Sequence, residues 1–290
     1  MFGDWKRVLF KEIKNRFIWE KERIGMSELS NIKTLEELFE YWKTKQSNDS
    51  GKETCNSENG YVVATNSFYK DGIVNPEEYQ NSALKVLFIT NEVSIDCKND
   101  VGEKNPELKG NGKGGHLVGN NKGNTVCSFN RYISDDEQET WSGKMRIKFG
   151  EMYRIMTEEN YKTKDSIDEK ANKEALKKIA FMNLNKRGGF GSIQRDVFLN
   201  YLKKYKECIR KEIELIAPDV IVWCACNTYD AEEYMGAIFE EKVWKEKKLT
   251  LKKGKVPILR MWHPSVQGRN MNEYLEKFAD DVWKNAKDVI

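Results

Sequence analysis

The sequence predicts an α/β protein: a three-layer α/β/α sandwich around a central, mainly parallel four-stranded sheet, with an N-terminal helical extension. Three observations carry this. Four short apolar runs, KVLFIT (85–90), IAFMNL (179–184), DVIVWCA (219–225) and VPILRMW (256–262), have the length and composition of buried strands. Segments with helical periodicity separate them, the alternation that builds parallel sheets. A chain of 290 residues with 39% hydrophobic content buries one full core.

Taken in order, residues around 4–24 and the stretch TLEELFEYWKTK from Thr34 place apolar residues at helical spacing. Thr34 and Glu37 have the spacing of a capping box, in which each side chain satisfies the other's backbone amide. SNDSGKETCNSENG, around 47–60, is polar and rich in turn formers, so 1–60 reads as extension and linker and 61–290 as the α/β/α domain. After the first strand, KNPELKGNGKGGHLVGNNKGNT (Lys104 to Thr125) cannot supply core residues, and a mobile loop is expected at about 98–126. That loop lacks the GxxxxGK(S/T) and GxGxxG patterns of phosphate cradles, and its His116 reads as solvated. Helices are expected at roughly 138–157, 195–216, 228–242 and 271–288, and no internal repeat is visible.

Composition narrows the class. With 13 Phe, 12 Tyr and 8 Trp the chain is too aromatic for a disordered protein. No apolar run approaches the roughly 20 residues of a membrane span, and the N-terminus alternates charge with bulk, unlike a secretory signal, so a cytoplasmic protein is expected. Six cysteines without a CxxC pair read as reduced thiols. Net charge is +3, but between Lys177 and Lys211 ten basic residues stand against two acidic ones, a distribution suited either to a nucleic-acid backbone or to a solvated helix face.

Ligands of parallel α/β sheets bind outside the carboxyl ends of the strands. The first run leads into Asn91 and Glu92, the second carries Asn183, the third leads to Asn227 and the fourth to His263. His263 sits in RMWHPSVQGR, where Pro264 fixes its own φ and biases His263 toward extended backbone. A carboxylate, amides and an imidazole at strand ends suit a pocket for a small molecule or a base.

These residues, in this order from Lys85 to Gly268, resemble the motifs of the uracil-DNA glycosylase superfamily. Thr90-Asn91-Glu92-Val93-Ser94 takes the place of its first motif, FMNLNK resembles the segment with the base-reading asparagine, and IELIAPDVIVWCA with HPSVQGR resembles the closing strand and loop. The resemblance implies that Glu92 activates water, that His263 hydrogen-bonds the departing base, and that Asn183 reads its polar edge. It further implies Asn91, Ser94 and Phe129 at the base, and Lys186, Arg187, Ser265, Gln267 and Arg269 on DNA. The family's Gly and Pro are replaced by Thr90 and Val93, and Ser94 stands where the uracil-specific branch has a tyrosine that excludes substituents at carbon 5. The implied activity is a monofunctional DNA glycosylase that flips out an aberrant or 5-modified pyrimidine and leaves an abasic site. Action on modified phage DNA in antiviral defence follows from that pocket.

Alternatives are a uracil-DNA repair glycosylase, a modified-base binding module without chemistry, and an enzyme of free nucleosides or nucleotides. No cofactor and no metal are expected, the cysteine spacing not matching the four-cysteine iron–sulfur set of some glycosylases. The expected partner is single- or double-stranded DNA, bound by a monomer, with no membrane.

Overall fold

The computed structural model describes residues 28–48, 68–94, 133, 141–159, 161, 168–189, 195–225, 231–264 and 270–286. Helix α1 (Leu35–Ser47) starts at the capping box read from the sequence: Glu37 N donates to Thr34 Oγ1 at 3.2 Å, and Thr34 N donates to the Glu37 carboxylate at 3.1 Å. β1 (Gly72–Ile73) leads into α2 (Pro76–Asn81), which begins with proline at a position where no amide is needed and is capped by Asn75. β2 (Val86–Ser94) is followed by α3 (Trp141–Thr157), α4 (Glu169–Lys177), β3 (Ile179–Gly189) and the long α5 (Arg195–Ile216). β4 (Val220–Trp223), α6 (Ala231–Ile238), α7 (Glu241–Glu246), β5 (Lys248–Leu251), β6 (Gly254–Arg260) and α8 (Met271–Asn285) complete the order.

The strands form one mixed six-stranded sheet in the order β1-β3-β2-β4-β6-β5. The pairings β3·β2, β2·β4 and β4·β6 are parallel, while β1 and β5 add antiparallel edges. The expected count of four strands is therefore corrected to six. A strand of two residues and the charged KLTL run are too short to show periodicity against their surroundings, and short charged strands are what a sheet tolerates at its edges. The single helix expected at 228–242 is two, α6 and α7, and α4 was not foreseen. α4 packs close to α3 because Gly150 has no side chain: a Cβ there would lie 3.0 Å from the Asn172 carbonyl oxygen.

Alternation along the strands sorts the core into two faces. Leu87, Ile89, Ala180, Met182, Ile221 and Trp223 point toward α1, α5 and α6. Val86, Phe88, Phe181, Val222 and Leu259 point toward α3, α4 and α8. Helix α1, expected within an N-terminal extension, belongs to the first of these cores: Trp42 is fully buried, its ring 6.5 Å from Tyr201, 6.1 Å from Tyr205 and 5.9 Å from Phe68.

One polar network lies inside that core and corrects two site expectations. Lys186 and Arg187 have no exposure, so neither reaches a phosphate backbone. Lys186 has the strand parity of Met182 and Leu184, which turns it inward toward α1. Its ammonium lies 2.5 Å from Asp71 Oδ1 and 2.9 Å from Glu212 Oε2, both carboxylates fully buried, with the rings of Phe39 and Trp42 at 5.6 and 5.4 Å. Arg187 donates to the Gln46 carbonyl at 3.2 Å and to Tyr205 Oη at 3.3 Å. Burial drives the Glu212 carboxyl well above the usual carboxylate range, against the pull of Lys186. One lysine thus stands between two buried acidic side chains, Asp71 and Glu212.

Removing the lysine strands a buried carboxylate. Lys186→Met is expected to destabilise the protein by about 3–5 kcal/mol in urea unfolding. A wild-type midpoint in that variant would show that Asp71 does not depend on it.

Candidate functional site

Strand register builds the site row by row. Across β3, β2, β4 and β6, the apolar row Phe181, Phe88, Val222 and Leu259 faces α3 and α8. Two residues on, Thr90 pairs with Asn183, and the ladder continues through Cys224 N to the Ile89 carbonyl at 2.8 Å and Met261 N to the Trp223 carbonyl at 3.0 Å. The next row on this face is thus Asn183, Thr90, Cys224 and Met261, exposed by 3, 1, 0 and 4% respectively. Beyond it stand the paired positions Glu92 and Asn185 on one side and His263 on the other. At this row phenylalanine and valine give way to amide, hydroxyl and thiol, still buried, with Cys224 and Met261 part of the core packed against α3 and α8.

Asn183 is held from two directions. Its backbone N donates to Asp71 Oδ2 at 2.6 Å, and its side-chain Oδ1 accepts from the Thr90 hydroxyl at 2.7 Å. The Thr90 contact fixes which end of the amide is oxygen and leaves the Nδ2 end as its donor. The first motif differs from expectation in its backbone: β2 runs on to Ser94, so Asn91, Glu92 and Ser94 lie in a strand paired with β3 rather than in a loop. Asn91 has the parity of Leu87 and Ile89, on the opposite face from Thr90 and Asn183, and its buried Oδ1 has no donor. The structure does not bring it together with His263. Glu92 pairs with Asn185 at the strand ends, and only the backbone of Glu92 and Ser94 is described.

His263 is half-buried three residues past β6. Burial first, and the neighbouring Lys148 charge second, pull its imidazole from 6.5 to about 4, so it is neutral at neutral pH and able to donate a hydrogen bond without carrying charge. Lys148 is the group that sequence reasoning missed. It projects from the second turn of α3, is 8% exposed, donates to the Pro264 carbonyl at 2.5 Å, and lies 4.5 Å from the centroid of the Tyr274 ring. Desolvation lowers its affinity for a proton. Tyr274 in turn donates to the Trp262 carbonyl at 2.6 Å, fixing the segment that carries His263. A signal for Lys148 was present: it shares a helical stripe with Met145 and Met152, where a solvated lysine has no reason to be.

The basic run is largely spent on internal pairs. Besides Lys186 and Arg187, Lys177 pairs with Glu174, Arg195 with Glu233, Arg210 with Glu207 and Lys211 with Glu214. Lys203, Lys204 and Lys206 remain exposed on α5, across the sheet from the Asn183 row. Phe129, Asn227, Ser265, Gln267, Arg269, His116, the 98–126 loop and the 4–24 helix lie outside the described residues. No helix of the described residues is long and apolar enough to cross a membrane. No protein-family model, curated protein or solved structure matches the chain.

The depressed imidazole has a thermodynamic consequence. Between pH 6.5 and about 4 the unfolded chain takes up a proton that folded His263 refuses, so stability falls as pH falls through that window and is recovered above it. The contribution is at most about 1.4 kcal/mol per pH unit. Urea midpoints of wild type and His263→Gln should converge as pH drops from 7 toward 4.5, and parallel curves would place the imidazole in ordinary solvent.

Proposed function

We propose that the protein hydrolyses the N-glycosidic bond of a flipped-out, 5-substituted pyrimidine in DNA, leaving an abasic site. The observations that support this reading are Asn183 on β3, oriented by Thr90, and His263 three residues past parallel β6, kept neutral beside Lys148. Neutral donors suit the oxygens of a base that gains negative charge as it leaves. In this scheme Glu92 takes a proton from water, the water oxygen bonds to the anomeric carbon, and the electron pair of the broken bond stays on the base. Ser94 stands where the resemblance has the tyrosine that excludes substituents at carbon 5, and DNA with bulky 5-substituents is chiefly that of phages, which makes defence against them the proposed role.

A second reading has a specific observation in its favour. The basic run is turned inward or lies on the far side of the sheet, which suits a free nucleoside or nucleotide as well as a duplex. Salt separates the two: DNA binding weakens with salt by a log–log slope of about −0.9 for each phosphate contacted. A flat response identifies the small substrate.

Alkali-induced nicking of DNA carrying different pyrimidines tests the reaction. Glu92→Gln should abolish base release while keeping fold and DNA affinity, and Asn183→Ala should lower kcat/KM about 10- to 100-fold. Ser94→Tyr should suppress release of large 5-substituted bases above all. Wild-type rates in Glu92→Gln, or intact glycosidic bonds in every substrate, would remove the proposal.

A further inference from the structure

We propose that Lys148, together with His263, forms an anion-binding site for a deprotonated heterocyclic base, a single negative charge spread over a flat ring. This rests on the glycosylase reading for the origin of that anion, but its geometry stands by itself. Lys148 is more than nine-tenths buried, and among the described residues no carboxylate pairs with it. Its contacts among the described residues are the Pro264 carbonyl at 2.5 Å and the face of Tyr274 at 4.5 Å. Both hold an ammonium in place and neither neutralises it. Elsewhere in the interior the chain meets the same problem differently, giving Lys186 two carboxylates and Arg154 the carboxylates of Glu151 and Glu158. A buried cation without a counter-charge costs stability that packing alone does not return, so an arriving anion is its natural complement.

The surroundings select the kind of anion. Beside Lys148 stand the Tyr274 phenol ring, with the Trp262 ring 6.4 Å from it, and the His263–Pro264 segment, a setting that is mostly apolar and aromatic. Phosphate would bring up to two localised charges against one cation and leave much of its hydration unreplaced. A ring anion spreads one charge, stacks or packs on such walls, and accepts from the neutral imidazole N–H next to the ammonium. During bond cleavage the same arrangement holds the electron pair left on the departing base, and the base then takes its proton from solvent.

The test uses the full-length protein and 5-nitrouracil, whose nitro group makes the ring an anion at neutral pH, with uncharged uracil as control. Calorimetric titration of wild type should show the 5-nitrouracil anion binding at least about tenfold more tightly than uracil. The chain has two histidines, so the His263 ring proton can be followed by NMR. Bound 5-nitrouracil should move its titration upward, since an anion cancels the Lys148 charge, and bound uracil should not. Lys148→Met should erase the preference for the anion and raise the His263 titration in the free protein, while Lys148→Arg keeps part of the preference.

Equal affinity for the two rings in wild type, a preference that survives Lys148→Met, or tighter binding of inorganic phosphate than of 5-nitrouracil overturns the inference. The wild-type arm decides the matter even where a variant does not fold. Anion preference through Lys148 in a protein that releases no base from any DNA overturns the glycosylase reading and leaves this site standing. Base release with no anion preference does the reverse.

Discussion

Asp71 is the hinge point of this structure. One of its carboxylate oxygens accepts from Lys186 Nζ in the core and the other from Asn183 N on the edge of β3. The same ion pair that anchors the α1 and α5 side of the sheet therefore fixes the height of Asn183, and through the Thr90 hydroxyl the level of the whole Asn183 row. β1 is only two residues long, and the Asp71 side chain extends its pairing where backbone no longer does. A buried ion pair is weak evidence for net stability, but it discriminates strongly between registers, because a shift of one residue would carry Lys186 out and leave two carboxylates behind.

The two faces of the sheet have divided their tasks. Toward α1 and α5 charge is buried with its partners, aromatic rings close over it, and Tyr201 links Lys186 N to Gln46. Toward α3 and α8 the apolar rows end in amide, hydroxyl, thiol and imidazole, and the nearby cation has a carbonyl and a ring for company. What differs is the company of each buried lysine: Lys186 has carboxylates within reach, Lys148 a carbonyl and a ring. The contrast between Lys186 and Lys148 is thus a contrast between a structural and a receptive lysine in one fold.

Much of the architecture was legible because buried strands announce themselves. KVLFIT, IAFMNL, DVIVWCA and VPILRMW became β2, β3, β4 and β6, and the Thr34–Glu37 spacing formed its capping box. The edges were not legible, since two- and four-residue strands carry no period to detect. His263 lies beyond the last strand, as the sequence led one to expect, whereas Asn183, expected near a strand end, stands inside β3 because that strand runs on to Gly189. Lys186 and Arg187 were misplaced because a sequence displays charge but hides partners: Asp71 is 115 residues away from Lys186, in a stretch with no pattern of its own. Lys148 was overlooked for the opposite reason, a charged residue read as surface although its stripe was apolar.

The packing of α1 against α5 also has a bearing on how the chain comes into being. Gln46 and Tyr201 are joined by a hydrogen bond across 155 residues, and Trp42 rests on the same rings. At about 5–20 residues per second, α1 leaves the ribosome roughly 10–30 s before the surface that covers it exists. Throughout that interval Leu38, Phe39 and Trp42 lack the α5 side of their packing, and β3 cannot enter between β1 and β2 until α3 and α4 have been made. The order of synthesis thus leaves an amphipathic helix waiting, and faster elongation shortens the time its apolar stripe stays uncovered.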